Sequence, residues 1–203
     1  MKIQKQKLKV KKHVPKPRDK KKKIKIRNTL EVIIDTTKSW IEKVVIGLNF
    51  CPFAAMPFKE GSIRYVVAEG KGLQSALQQF ARELMFLDDN QTTSTTLIIF
   101  PNEFGDFYKY LELVDLSEQL LEKEGYEGVY QVASFHPLYQ FSGTSDTDPT
   151  NYTNRSPYPM IHLLREDSIT AAVKKHVNID EVPERNMQKA RELGIDFFKN
   201  LGL

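Results

Sequence analysis

A chain of 203 residues, 40% hydrophobic and 28% charged, suits one folded domain with an appendage and has enough apolar mass for a real core. No apolar run approaches the roughly 18 residues of a membrane span, and the amino terminus does not read as a secretory signal. A single cysteine, Cys51, excludes an internal disulfide framework and a four-cysteine zinc site, and fits a reducing, cytoplasmic setting.

The net charge of +4 hides a division. Residues 1–28 hold fourteen Lys and Arg against one acidic residue, Asp19, whereas the other 175 residues hold 16 basic and 25 acidic ones. The body is acidic and the amino-terminal segment alone makes the protein basic. Lys5, Lys7, Lys9 and Lys11 alternate with short residues there, and Lys20 to Lys23 form a block. Such like-charge density repels itself, and the few apolar side chains cannot offset the ordering entropy, so disorder is expected over 1–28. The segment suits attachment to RNA, the ribosome, an anionic membrane surface or another polyanion, or a nuclear address; the plain alternative is a solubilising extension. The chain thus divides into a Lys-rich tail, 1–28, and one α/β domain, 29–203.

Order is expected from about Thr29. Ile33, Thr37, Trp40, Ile41, Val44 and Leu48 recur at spacings of three and four, one face of a helix. Asn49 and Pro52 end it, which puts Cys51 at the helix exit. Residues 63–68 read as a strand, and Leu73, Ala76, Leu77, Phe80, Leu84 and Leu87 as a second helix stripe. A second strand, 95–100, is closed by Pro101; a helix follows over about 106–123, stopped near Gly125. A third strand ends at His136-Pro137, and 158–165 make a fourth. Ser168 is expected to cap a short helix, and Pro183 to open a last one with Met187, Ala190, Gly194, Phe197 and Leu201 inward. The order α-β-α-β-α-β-β-α-α predicts a two-layer α/β sandwich with a mixed sheet of about four strands, a ferredoxin-like arrangement being one candidate.

The segment from Ser134 to Glu166 concentrates the chemistry. A connection of roughly twenty residues in a compact domain is functional or disordered. Phe135, Tyr139, Phe141, Tyr152 and Tyr158 predict a packed, Ω-like lobe instead of a solvated linker. His136, just past a strand end, suits a general acid/base or a metal ligand. With His162 on the next strand and a carboxylate from Asp146, Asp148 or Glu166, it would suit iron or zinc. Arg155 offers a planar fork for a substrate carboxylate or phosphate, with Asn151, Asn154 and Ser156 as donors and acceptors around it.

Each candidate has a structural counterpart. His162 lies between Ile161 and Leu163 as a core histidine would, Asp146 and Asp148 resemble turn residues, and Arg155 can pin the loop to a carbonyl. Cys51, at a helix exit, lacks the field that lowers a thiol pKa, so a buried thiol competes with a nucleophile. Glu184, Arg185 and Asn186 open the last helix, as a solvated first turn or as groups closing a site from the side.

Val-Ile-Gly-Leu-Asn-Phe-Cys-Pro-Phe-Ala (45–54), Gln-Val-Ala-Ser-Phe-His-Pro-Leu-Tyr-Gln-Phe (131–141) and Asn-Tyr-Thr-Asn-Arg-Ser-Pro-Tyr-Pro (151–159) resemble signatures of a mostly bacterial family of domains of unknown function, number 1415 in that series. His-Leu-Leu-Arg-Glu (162–166) and Glu-Arg-Asn (184–186) also resemble its motifs. The resemblance spans about residues 30–195 and implies no settled activity. It nominates Cys51, His136, Asn154, Arg155, His162, Glu184 and Asn186 for a site, whereas the Lys-rich tail departs from the family pattern. Two functions follow as expectations. The first is an enzyme acting on a small anionic molecule, with His136, Arg155, Asn154 and Cys51 catalytic and Asn151, Ser156, Glu184 and Asn186 holding substrate. The second is an adaptor attached to a polyanion through its tail.

Overall fold

The computed structural model describes residues 20–173 and 181–203; positions 1–19 of the expected disordered tail lie outside the described residues. Helix α1 runs Lys20–Trp40, so it begins nine residues ahead of the expected start at Thr29. Lys and Arg are good helix formers once hydrated, and Arg27 pairs with Glu31 one turn on at 2.8 Å. Among the described side chains of α1, Ile33 is the first that is buried, and it opens the apolar stripe. A π-helical turn, Ile41–Ile46, continues it: Gly47 N–H donates to Glu42 O and Phe50 N–H to Val45 O, each 2.9 Å and five residues back. Asn49, at φ 56°, then turns the chain.

A six-residue helix not expected from the pattern, α2 (Ala55–Glu60), ends on left-handed Gly61. It has no buried residue and therefore no apolar stripe to announce it. Strand β1 (Ile63–Val67), helix α3 (Gly72–Asp89), strand β2 (Thr95–Ile99) and helix α4 (Phe107–Lys123) follow. The Asp106 side chain caps α4 by accepting Lys109 N–H at 3.0 Å. Next come β3 (Tyr130–Phe135), a 3₁₀ turn (Pro149–Thr153), β4 (Met160–Arg165), α5 (Glu166–Val173) and α6 (Val182–Asn200). Helix α5 starts directly at Glu166, which leaves Ser168 inside it. Gly194, at φ 72° and ψ 167°, breaks α6 into two pieces.

The α/β class and the mixed four-stranded sheet are as expected, with strand order β1-β2-β4-β3. β1 and β2 are parallel neighbours, and β4 inserts antiparallel between β2 and β3. A ferredoxin-like sheet would instead split its βαβ strands with a third one, so that candidate is set aside. All of β2 is buried, which explains its unbroken β-branched and apolar run.

Opposite-facing residues of β2 enter two separate cores. Leu97 and Ile99, with Met160 of β4, meet Ile33, Trp40 and Val44 from α1 and its π turn and Ala190 and Phe198 from α6. Ile98, with Ile161 and Leu163, meets Phe80, Leu84 and Leu87 of α3 and Leu113 of α4. Helices therefore cover both faces, adding a third layer to the expected two. The β3–β4 register, with Phe135 opposite Met160, places the long connection 136–159 at one end of the sheet.

Candidate functional site in the lobe between strands β3 and β4

The lobe is built around Asn151, which is fully buried. Its Oδ1 accepts Phe141 N–H at 3.0 Å and the Thr144 hydroxyl at 2.9 Å, while Nδ2 donates to Ser145 O at 2.8 Å. One side chain thereby closes the turn over 141–145. Asp148 starts the 3₁₀ turn by accepting Thr150 N–H at 2.8 Å and its hydroxyl at 2.7 Å. Those two bonds hold its carboxyl below the usual carboxylate range.

Arg155 binds across the turn: Nε–H donates to Tyr139 O at 3.3 Å and Nη2–H to Asp146 O at 2.7 Å. Its guanidinium lies over the Tyr152 ring, 4.4 Å from the centroid. The Arg155 carbonyl accepts the Trp40 indole N–H at 3.0 Å, tying the lobe to the end of α1. Asn154 donates to Ser134 O at 3.3 Å and accepts the Thr153 hydroxyl at 3.0 Å. Ser156, also buried, donates to Tyr158 O at 2.6 Å.

His136 has no exposed surface, and main-chain groups occupy both ring nitrogens. Leu138 N–H donates to Nδ1 at 2.9 Å, which leaves Nε2–H to donate to Phe104 O at 2.8 Å. The ring packs against Tyr110 and Phe107, 4.8 and 5.1 Å between centroids. Burial pushes its pKa down, opposed by Phe104 O and the charge of Asp106. The bonding pattern requires the neutral imidazole, because a proton on Nδ1 would face the Leu138 N–H.

His162 lies on the opposite face of the sheet, in register with Leu97 and Ala133, and its ring is 6.2 Å from that of Phe135. The Thr95 hydroxyl donates to Leu163 O, so His162 Nε2–H donates to Thr95 Oγ1 at 2.6 Å. Burial lowers its pKa to about 4. Because the two imidazoles face different cores, the expected pairing of His136 with His162 around iron or zinc is not assembled. Among the described residues, no group of three or more His, Cys, Asp and Glu is placed to hold a metal ion.

Cys51, Asn186 and Glu184 form a separate neighbourhood. Asn186 Nδ2 donates to Phe50 O at 2.6 Å and Arg185 Nη2 to Asn49 O at 2.9 Å, so the first turn of α6 clamps the chain beside Cys51. Burial raises the thiol pKa against the opposing backbone N–H groups of Phe53 and Ala54. The Glu184 carboxylate is exposed and lies 3.9 Å from Arg191. The two neighbourhoods meet through aromatic rings: Phe198 stacks on Tyr152 at 4.7 Å and on Phe50 at 6.3 Å.

Three contributors were not apparent from the pattern. Tyr110 accepts Phe135 N–H at 2.9 Å and donates to Met160 O at 2.6 Å, fastening the ends of β3 and β4. The available signal was a hydroxyl inside the apolar stripe of α4. Trp40 was legible only as a core position, and the expected stripe of the last helix takes Phe197 in place of its neighbour Phe198.

The family model described as "Protein of unknown function (DUF1415)" matches residues 32–200. The chain belongs to that family, and the matched region begins inside α1, past the densest run of lysines. Comparison with curated proteins and with solved structures gives no match.

Proposed function

We propose that this member of the DUF1415 family is a binding module whose basic amino-terminal segment engages the phosphate backbone of RNA in a reducing, cytoplasmic setting. The observation that carries the reading is the charge division: fourteen cations and one acid in residues 1–28, against 16 cations and 25 acids in the rest. An acidic body repels a polyanion, so the contact falls on the segment. Helix α1 is continuous from Lys20 to Trp40, which couples the basic end to the packed body without a flexible joint between them. No helix among the described residues is long and apolar enough to cross a membrane.

The lobe supports a scaffold role. A general acid/base at His136 would have to leave two main-chain bonds, and substrate binding by Asn151 or Ser156 would have to open buried ones. Fluorescence anisotropy with a labelled single-stranded RNA tests the reading. If about 6–10 phosphates are engaged, affinity should fall by roughly 10³–10⁵ between 50 and 200 mM salt. Replacing Lys20 to Lys23 with Gln should weaken binding and flatten that slope. Salt-independent binding, or binding unchanged after deletion of 1–28, would overturn it.

A further inference from the structure

A groove of about 400 Å³ lies between α1, its π turn and residues 201–203, within the size range of small-ligand sites. Its polar groups come from one helix side at four-residue intervals: Asp35, Ser39 and Lys43. Among the described residues none of these three side chains has a hydrogen bond or ion pair, whereas Thr36 beside them donates to Val32 O at 2.8 Å. Trp40 lines the groove between the charges and Val44 just past Lys43, and Leu201 and Leu203 line it from the carboxyl-terminal residues. Trp40 is held from behind by Arg155 O and by the edge of Phe135 at 5.2 Å, so the floor is rigid.

The two charges have opposite sign and sit at opposite ends. Eight residues at 1.5 Å each put them about 12 Å apart along the axis. A tripeptide extended at ~3.3–3.6 Å per residue spans about 10 Å between its termini. We infer that the groove is a binding site for short apolar peptides with free termini. The peptide ammonium meets Asp35, the carboxylate meets Lys43, Ser39 bonds a main-chain group midway, and apolar side chains cover Trp40 and Leu201. The site is independent of the basic segment, and a peptide titration at fixed salt fails or succeeds separately from RNA binding.

The chain has one tryptophan, so Trp40 emission reports this groove directly. Tri-leucine titrated into the full chain should change that emission saturably, with a matching heat in calorimetry. Exposed ion pairs contribute modestly, so Asp35→Asn and Lys43→Gln should each weaken binding about two- to fivefold. N-acetyl tri-leucine amide, with neither terminal charge, should bind more weakly than either variant binds the free peptide. Absence of saturable heat and emission change at millimolar peptide would overturn the proposal. So would equal affinity for the blocked peptide, which would mark apolar adsorption instead of recognition of the termini.

Discussion

Asn151 shows how one side chain can decide a loop. Truncation to Ala removes an acceptor from Phe141 N–H and Thr144 and a donor to Ser145 O, in a residue with no exposed surface. Phe141 and Thr144 are half-buried, Ser145 is exposed, and the Thr144 hydroxyl keeps Phe141 O at 2.8 Å, so water and that bond offset part of the loss and Asn151→Ala should lower unfolding free energy by roughly 1–3 kcal/mol. Chemical denaturation reads this, and hydrogen exchange should place the opening at 141–145. His136→Ala and Arg155→Ala should likewise lower the melting temperature. A full-strength fold in both, with loss of a ligand or turnover, would return the enzyme reading to first place.

The histidines predict a second, pH-dependent effect. Both are neutral in the fold, with His162 lowered to about 4 and His136 lowered from its ordinary 6.5. The unfolded chain takes up these protons first. Stability is therefore complete above about pH 6.5 and falls as pH drops from there toward 4. His162 alone accounts for on the order of 2–3 kcal/mol across that window. In a His162→Phe variant, the acid-side slope of denaturation midpoint against pH should become shallower. An unchanged slope would show that the imidazole is not buried neutral.

At the scale of elements, the helices and strands were legible because each carries a period. The inward residues of α1, α3 and α4 recur at helical spacing, and β2 is an unbroken β-branched and apolar run of the kind that a strand buried on both faces requires. What failed lacks such a signature. The insertion of β4 between β2 and β3 is a long-range pairing, and the second helical layer follows from which face each stripe meets. The π turn looks like ordinary helix in sequence. The site was legible as a location, since aromatics and polar residues crowd 134–166. Its state was not, because whether a polar side chain is free or already bonded depends on main-chain groups brought to it by folding.

Gly194 marks the limit of periodicity: its spacing fits the α6 stripe, yet its backbone, φ 72° and ψ 167°, is closed to side chains. The break sets the last part of α6, with Phe198 between Phe50 and Tyr152. Although a Cβ there would meet no neighbour, the backbone alone should cost Gly194→Ala about 1–3 kcal/mol. Near-ultraviolet circular dichroism should report loosening of the aromatic stack. A variant as stable as the parent would mean that α6 straightens without loss.

For the whole molecule, charge and packing are divided along the chain. Among the described residues of α1 every buried one lies at Ile33 or beyond, and Arg27 and Thr29 are exposed. Removing residues 1–28 leaves each of those buried side chains in place, while it shifts formal charge from +4 to −9, given the 16 basic and 25 acidic residues that remain. Its effect on unfolding free energy should stay within about 0.5 kcal/mol, as for surface changes elsewhere. Its chromatography should invert, from retention on a cation exchanger to retention on an anion exchanger at neutral pH. A loss of several kcal/mol would show that the basic segment packs against the body. Inverted retention with unchanged melting would instead separate an electrostatic arm from a self-sufficient fold, the division on which RNA binding by the arm depends.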